Sequence, residues 1–408
     1  MEEWATYKLG EIAECSLGKM LDQRKNKGKP RTYLGNVAVR WGSFNIDPTQ
    51  TMLFEDHELE KYSLKKNDIV ICEGGEPGRC AIWKSNDTIL IQKALHRVRV
   101  NAEIADPLYV YYYITHLAKS HQLEPLFTGS TIKHLPRERL VSIDIRLPDL
   151  STQKQISSIL AVIDDKRHTN SLINDNLEQQ AQALYKSWFV DFEPFCEGEF
   201  IESSLGSIPA GWKVGQLSDI CEIVGGGTPS KSHPEYYCKR GIAWITPKDL
   251  SVSKSKFSSR GSEDITSDGY KNSSAKLMPR GTVLFSSRAP IGYISIATNE
   301  ICTNQGFKSA VPGIAGTGYL YYFLQANTDK IESKASGSTF KEASGSLMKA
   351  LEVIIPEDGI FNQFEAELAP ILNKQENIAS EIQTLTTLRD TILPKLMSGE
   401  LKINEIDC

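Results

Sequence analysis

The chain has 408 residues, more than one ordinary hydrophobic core accommodates, so we expect two domains with connecting elements. Its hydrophobic content of 40% and aromatic content of 9% are typical of a folded, soluble protein, and no stretch approaches the roughly 20 apolar residues of a membrane span. The eight cysteines and seven histidines show no metal-ligand spacing, and the acidic start MEEW is unlike a secretory signal. We therefore expect a cytoplasmic protein with reduced thiols, no metal site and no membrane partner.

The net charge of −5 at pH 7 is distributed unevenly along the chain. Residues 1–150 carry 21 basic and 20 acidic side chains, and residues 201–359 carry 17 and 15. Residues 151–200 and 360–408 each carry four basic and eight acidic side chains. Residues 1–150 and 201–359 are therefore free to approach a polyanion, because the excess negative charge is concentrated in residues 151–200 and 360–408.

The first segment, residues 1–150, is predicted to be a mixed α/β body. Its basic run RKNKGKPR, from Arg24 to Arg31, has five basic residues and no acidic one in eight positions. Such a run suits a flexible loop on a nucleic-acid backbone, and the alternative is a solvated surface. Short β-rich runs such as residues 69–72 and 143–145 follow, separated by turns rich in Gly and Pro.

Residues 151–197 and 360–400 have the strongest periodicity and predict two long helices. When positions are counted alternately by four and three from Ile156 and from Phe364, seven of ten and eight of ten are apolar, in one register. This pattern predicts a coiled-coil seam. In the first helix the polar residues Arg167, Asn170 and Asn174 interrupt the seam, and we expect them to fix the register in which the helices pair. The apolar seam positions are Ile156, Leu160, Ile163, Leu177, Ala181, Leu184, Trp188, Phe364, Leu368, Ile371, Ile378, Ile382, Leu385, Ile392 and Leu396.

An internal repeat connects the two halves of the chain. GSTIK at Gly129 to Lys133 recurs as GSTFK at Gly337 to Lys341, 208 residues later. Four other pairs keep the offset of 208, namely Trp4 with Trp212, Ile12 with Ile220, Pro148 with Pro356 and Gln155 with Gln363. Between these anchors the offset drifts, to 203 for Trp41 with Trp244 and to 213 for Gln92 with Gln305. Fixed outer anchors with a drifting interior indicate a duplicated domain that holds two diverged inserts.

These patterns predict an α+β protein in which two tandem α/β domains are joined by two long helices that pair as an antiparallel coiled coil, with a pseudo-two-fold internal repeat. We expect residues 1–150 to form the first domain, 151–197 the central helix, 198–359 the second domain, 360–400 the distal helix and 401–408 a tail. About forty helical residues span on the order of 60 Å, and DNA repeats every ~34–36 Å. We hypothesise that the helices set the gap between two halves of a split DNA site.

Over nearly its whole length the chain resembles the specificity (S) subunit of type I restriction–modification systems. Both helices have endings similar to that family, ALYKSWFVDFEPF and LPKLMSGEL. The similar stretches of the first half are SLGKMLDQ, TYLGNVAVRWGSF and GEPGRCAIW. Those of the second half are LGSIPAGWKVGQLSDI, GGGTPSKSHPEYY, IAWITPKDL, SSRAPIG and TNQGF.

The resemblance implies two target-recognition domains, each of which reads one part of a bipartite sequence in double-stranded DNA. It also implies that the helices dock two methylation (M) subunits, which restriction (R) subunits join to form the nuclease. The S subunit has no catalytic role in that family. We therefore expect no cofactor in this chain, with S-adenosylmethionine, ATP and Mg on the partner subunits.

We expect DNA contacts from polar loops and basic side chains of both bodies. In GSTIK and GSTFK, the backbone amides, the hydroxyls and the lysine suit phosphates, and the alternative is a turn retained because it caps a strand. Arg288 suits a guanine edge or a pairing with a buried carboxylate, and Trp41 and Trp244 fit core positions better than stacking platforms. The candidate DNA-binding residues are Arg24, Lys25, Lys27, Lys29, Arg31, Arg40, Ser130, Thr131, Lys133, Thr228, Ser230, Lys231, Lys248, Arg288, Ser338, Thr339 and Lys341.

Catalytic interpretations fit the sequence poorly. The glycine run at residues 225–227 lacks the spacing of nucleotide-binding loops, and no [DNS]PP[YF] methyltransferase tetrapeptide is present. Pro148-Asp149 and Asp164-Asp165-Lys166 match a loose nuclease pattern, but the predicted helix would carry these groups apart. The alternatives to a DNA-specificity subunit are a coiled-coil scaffold that binds no DNA and a stand-alone Mg-dependent nuclease.

Overall fold

The computed structural model of the chain describes residues 4–22, 24–337 and 341–401. The chain divides into two compact units, unit 1 (Met1–Arg167 with Thr384–Cys408) and unit 2 (His168–Gln383). Each unit combines one mixed α/β body with a part of both long helices. None of the helices in the described ranges is long and apolar enough to cross a membrane.

The body of unit 1 is built around a four-stranded antiparallel sheet. The order of its strands is Ala13–Leu17, Leu95–Val100, Ile69–Cys72 and Cys80–Ile82. The helix Pro107–Lys119 contributes buried tyrosine and aliphatic side chains to the same core as this sheet. The other strands are Ala5–Lys8, Lys29–Leu34, Val39–Arg40, Ser43–Phe44, Thr51–Phe54, Leu90–Ile91 and Asp144–Leu147, and the other helices are Leu9–Ile12, Leu59–Tyr62 and Arg137–Val141.

The body of unit 2 is built around a five-stranded sheet of the same plan. Its order is Cys221–Gly225, Lys308–Pro312, Val283–Ser287, Ile291–Ala297 and Phe257–Ser258, and only the last pair is parallel. The helix Thr317–Ala326 shares a core with it. The other strands are Phe200–Ser203, Gly206–Pro209, Lys213–Gln216, Tyr237–Cys238, Trp244–Ile245, Asp264–Ile265, Cys302–Thr303 and Glu352–Ile355, and the other helices are Pro247–Ser253, Ser267–Lys271, Thr328–Lys334 and Gly345–Lys349.

An outer pair of strands recurs in both bodies with the same register. Ala5–Lys8 pairs with Asp144–Leu147 in unit 1, and Lys213–Gln216 pairs with Glu352–Ile355 in unit 2. Each strand of the second pair lies 208 residues after its counterpart in the first. The two bodies are therefore copies of one framework, as the fixed outer anchors predicted.

The pairing of Trp41 with Trp244 that the sequence suggested was wrong. In unit 1, Tyr33 lies opposite Leu90 in a parallel pair of strands, and in unit 2 Trp244 lies opposite Cys302 in the corresponding pair. Trp244 therefore corresponds to Tyr33, at an offset of 211 residues. The two tryptophans do not match because the chain after this strand differs, with a short hairpin that carries Trp41 in unit 1 and a helix in unit 2.

The match of Gln92 with Gln305 is wrong by one residue. The backbone N–H of Gln92 donates to the carbonyl of Leu34 at 3.0 Å, and that of Asn304 donates to the carbonyl of Ile245 at 3.1 Å. These equivalent hydrogen bonds pair Gln92 with Asn304, at an offset of 212 residues. The offset between the two bodies therefore does change in their interior, but matching identical residues gave the wrong values for it.

The predicted helices extend over Leu150–Phe189, the first long helix, and Ile360–Ser398, the second long helix. All fifteen apolar positions of the predicted seam are buried or half-buried. The helices are antiparallel within each unit, because residues with higher numbers on the first long helix contact residues with lower numbers on the second. The contacts are Asp164 with Arg389 and Arg167 with Thr386 in unit 1, and Asn170 with Glu381 and Tyr185 with Phe364 in unit 2.

A tyrosine of each body donates a hydrogen bond to a carboxylate on the first long helix. Tyr112 Oη lies 3.1 Å from Asp164 Oδ2 in unit 1, and Tyr322 Oη lies 3.1 Å from Glu178 Oε2 in unit 2. These residues were not predicted from the sequence. The signal was the run YVYYY at residues 109–113, which recurs as YLYYF 210 residues later.

In unit 2 the carboxylate of Glu178 also binds a buried lysine. Lys256 Nζ donates to Glu178 Oε2 at 2.7 Å, to Gln375 Oε1 at 2.9 Å and to Tyr322 Oη at 2.5 Å. Burial acts to raise the pKa of Glu178, but the Lys256 ammonium and the hydrogen bonds outweigh it and hold the pKa below its usual 4.5. This cluster joins the body to both long helices.

Replacing Glu178 by Gln is expected to destabilise the protein at neutral pH, because it leaves the Lys256 ammonium buried without a counter-charge. Removing one partner of such a pair costs about 3 kcal/mol. A carboxylate whose pKa is lower in the folded than in the unfolded protein stabilises the fold at pH values above its unfolded pKa. This contribution is lost as the pH falls through the folded pKa. The difference between wild type and Glu178→Gln should therefore shrink with falling pH below 4.5.

Urea unfolding of the full chain, followed by tryptophan fluorescence between pH 3 and 8, measures this difference. Glu367→Gln is the matched control, because Glu367 is exposed on the second long helix of the same unit. A Glu178→Gln penalty that does not vary with pH would contradict the assignment of the carboxylate as ionised.

Candidate nucleic-acid interface

The residues that flank GSTIK and GSTFK are bridged in the same way in the two bodies. Thr128 and His134 exchange two backbone hydrogen bonds, both of 2.8 Å. The residues 208 positions later, Ser336 and Glu342, exchange two of 3.3 and 2.9 Å. Each bridge encloses five residues, and Ser130, Thr131 and Lys133 of the first loop are exposed.

Each hairpin is fastened to the end of a central strand. The backbone N–H of Leu135 donates to the carbonyl of Glu73 at 2.7 Å, and that of Ala343 donates to the carbonyl of Ser287 at 2.9 Å. Glu73 and Ser287 lie where the strand turns towards its antiparallel neighbour. We call residues 73–79 with 128–134 the loop edge of unit 1. The loop edge of unit 2 is residues 287–290, 336–337 and 341–343.

A glycine brings the chain close to each loop edge at the end of the first sheet strand. A Cβ on Gly18 would lie 2.4 Å from the carbonyl oxygens of Ile91 and Gln92, and one on Gly226 would lie 1.9 Å from that of Asn304. Only glycine fits such a close approach of two backbone segments. The run at residues 225–227 therefore has a structural explanation that needs no nucleotide.

The end of the basic run of unit 1 lies on a separate small sheet. Its order is Thr51–Phe54, Lys29–Leu34 and Leu90–Ile91. Arg24, Lys25, Lys27, Lys29 and Arg31 are all exposed, and Lys25 Nζ lies 3.8 Å from Asp22 Oδ2. The structure therefore presents the run at the surface.

In unit 2 two candidate hydroxyls form hydrogen bonds within the body. Thr228 hydrogen-bonds to Gln305 beside the loop edge, and Ser230 Oγ lies 2.7 Å from Ser232 Oγ. Lys231, Lys248 and Lys341 are exposed, and Lys248 is in the first turn of the helix Pro247–Ser253. Ser338 and Thr339 are outside the residues that the structure describes.

Arg288 has a carboxylate partner, which was one of its two predicted environments. Its Nη1 lies 3.5 Å from Glu342 Oε2, and Lys308 Nζ lies 3.3 Å from Glu342 Oε1. The Glu342 side chain is only half-buried, so the carboxylate is not the buried one expected. The pair joins the loop between two central strands to the base of the GSTFK hairpin.

Trp41 is at the surface, which corrects its predicted core position. It is 37% exposed, whereas Trp244 is 5% exposed and in the core as expected. Trp41 Nε1 donates to Glu76 Oε1 at 2.9 Å, so its hairpin rests against the loop edge of unit 1. Arg40, which precedes it, is exposed there as well. The sequence analysis did not single out Glu76, although GEPGRC marks its loop.

Most candidate cations have no ionic partner. For nine candidate cations in the two bodies, no carboxylate among the described residues lies within 4.0 Å of a side-chain nitrogen. The nine cations are Arg24, Lys27, Lys29, Arg31, Arg40, Lys133, Lys231, Lys248 and Lys341. Unpaired exposed cations near donor-rich loops can neutralise phosphates.

The residues of the nuclease pattern have other hydrogen bonds. Asp149 accepts from the backbone N–H groups of Ser151 and Thr152 at 2.9 and 3.1 Å, at the start of the first long helix. Asp164 accepts from Tyr112, Arg167 and Arg389 within unit 1. These bonds cap a helix and join it to its neighbours, which explains both carboxylates without a reaction.

Residues 1–179 and 209–396 match the family model of the Type I restriction modification DNA specificity domain, and the chain belongs to this family. It is 43% identical to the MjaIX specificity subunit, a type I restriction enzyme subunit of Methanocaldococcus jannaschii, over 39% of this chain and 38% of that relative. It is 25% identical to the type I HindI specificity subunit of Haemophilus influenzae, over 98% of this chain and 100% of that relative.

A crystal structure shows the same fold. The S subunit of a type I restriction–modification system from M. genitalium aligns with a TM-score of 0.62 at 16% identity, over 96% of both chains. The predicted class is thereby confirmed, an α+β protein with two domains joined by long helices.

Proposed function

We propose that the chain is the DNA-specificity subunit of a type I restriction–modification complex and recognises a bipartite site in duplex DNA. The observation that carries the proposal is the repeated loop edge. In both bodies the residues that flank the GST motif form the same backbone bridge, and the residue after the bridge donates to the end of a central strand. Two equivalent edges suit two separate segments of one duplex.

The chemistry of the loop edges supports this assignment. Hydroxyl groups, backbone amides and unpaired cations are donors, and duplex DNA presents acceptors on every phosphate. The flanking segments differ between the bodies, with five basic residues in RKNKGKPR and only Lys231 in TPSKSH. Different segments on one framework suit the reading of two different half-sites.

The family membership supports the further assignments. The two long helices would dock two M subunits and set the gap between half-sites, and R subunits would join the complex. This chain would be non-catalytic and cytoplasmic. S-adenosylmethionine, ATP and Mg would be bound by the partner subunits.

Exchanging one body is expected to change one half of the recognition sequence. Residues 1–150 would be replaced by the corresponding body of a family member with another specificity, and both proteins would be co-expressed with the M subunit. Sequencing of methylated bases should show one altered half-site and one unaltered half-site. A recognition sequence that does not change, or that changes in both halves, would contradict the proposal.

Removing cations from the basic run is expected to weaken DNA binding and its salt dependence. Each phosphate contact contributes about 0.9 to the slope of log K against log salt. The double variant Lys27→Ala, Lys29→Ala in the complex with M should therefore show a slope shallower by about 1–2. Lys66→Ala is the control, because this exposed lysine precedes the far end of the strand Ile69–Cys72. Equal slopes for wild type and the double variant would rule out these contacts.

A further inference from the structure

We propose that Glu76, at the loop edge of unit 1, reads a cytosine through its exocyclic amino group in the major groove. The inference rests on the proposed function and identifies one base and one residue within it. Glu76 lies on the loop that connects the central strands Ile69–Cys72 and Cys80–Ile82. The GSTIK hairpin is fastened to the start of the same loop.

Two donors hold the carboxylate of Glu76 in place. Trp41 Nε1 donates to Oε1 at 2.9 Å, and Arg79 Nη1 donates to Oε2 at 2.6 Å. The side chain nevertheless remains 51% exposed. A carboxylate has about four lone-pair sites, so two of them remain for a ligand.

Both donors are themselves fixed by the fold. The side chain of Arg79 is only 15% exposed, and its Nη2 donates to the carbonyl of Asn36 at 2.9 Å. The hairpin of Trp41 is attached to the central sheet, because the backbone N–H of Gly42 donates to the carbonyl of Cys80 at 3.1 Å. The acceptor is therefore preorganised on rigid elements, which is the requirement for reading a base edge.

The chemistry of DNA limits what Glu76 can contact. The polar groups of the GSTIK hairpin and of the Trp41 hairpin, namely Ser130, Thr131, Lys133 and Arg40, are donors that suit phosphates, whereas a carboxylate repels phosphates. In the major groove, the amino groups of cytosine and adenine are the donors. Adenine carries the N7 acceptor beside its amino group, and this acceptor would face the carboxylate. Cytosine has only a C–H beside N4, so cytosine is the base that fits.

The corresponding loop of unit 2 presents the opposite charge. It carries Arg288, and the nearby carboxylate Glu342 belongs to the hairpin and lies between Arg288 and Lys308. The acceptor on the loop is therefore specific to unit 1. A change at Glu76 should alter one position in one half-site and leave the other half unaltered.

The test compares Glu76→Gln with wild type in the complete complex with M subunits. The sites methylated in a host strain are sequenced first, and body exchange shows which half-site belongs to unit 1. We expect an invariant cytosine in that half-site of the wild type. In Glu76→Gln, methylation of the original site should fall about 10-fold to 100-fold, and adenine should become acceptable, because an amide pairs with adenine N6 and N7.

Glu103→Gln is the matched control, because Glu103 is exposed after the strand Leu95–Val100, at the opposite end of the same sheet. It should leave the recognition sequence unaltered. Trp41→Phe removes one donor and keeps the aromatic ring, so it should weaken the preference for cytosine less than Glu76→Gln does. Thermal melting of each complex shows whether it is folded.

Competition binding with synthetic duplexes measures the base preference of Glu76→Gln even where this variant abolishes methylation. The duplexes carry each of the four bases at the selected position. Wild type should prefer cytosine there, and Glu76→Gln should lose that preference. A preference that survives the substitution, or a wild-type half-site without an invariant cytosine, would overturn the inference. A wild-type complex that methylates no bipartite site would instead overturn the proposed function.

Discussion

Backbone hydrogen bonding at the end of one central strand fixes the position of each loop edge. Thr128 with His134, and Ser336 with Glu342, each exchange two backbone hydrogen bonds. The residue that follows each bridge, Leu135 or Ala343, donates to the end of the strand. None of these bonds involves a side chain. The hairpin and the loop beside it can therefore change in sequence while their place at the sheet edge is kept. Such a framework allows two copies of one fold to acquire different specificities.

The bodies are joined to the long helices by polar contacts at buried positions. Tyr112 and Tyr322 donate to Asp164 and Glu178, and Lys256 adds a buried cation in unit 2. A buried hydroxyl or charge is costly without a partner, so these contacts disfavour other ways of packing each body on its helices. The polar seam position Asn170 follows the same logic, because its side chain donates to Glu381 at 2.9 Å.

The sequence predicted the features that depend on local periodicity or fixed spacing. The seam from Ile156 and from Phe364 is visible because a helix repeats its contacts every three to four residues. The outer strand pairs are visible because the length differences between their anchors cancel, so the offset is 208 residues at both outer strands. The interior was harder, since strand pairing depends on residues far apart in sequence. Trp41 and Trp244 share an identity but occupy different elements, and the true counterpart of Trp244 is Tyr33.

The cations of the candidate site stand in recognisable sequence motifs, whereas its acceptor does not. Lys133 and Arg288 stand beside recognisable motifs, and both lie at a loop edge. Glu76 could not be found from sequence, because its role depends on Trp41 and Arg79 meeting it from two elements. The need for glycine at residues 18 and 226 likewise becomes clear only from the carbonyl groups that approach them.

Hydrogen exchange of the complete complex, with and without its DNA, tests the central claim that the loop edges are the DNA-facing surface. We expect DNA to slow exchange at residues 73–79 and 128–134 of unit 1 and at 287–289 and 341–343 of unit 2. Exchange at the opposite strand ends, residues 65–68 and 298–300, should not change. Protection of those opposite ends, with none at the loop edges, would contradict the account.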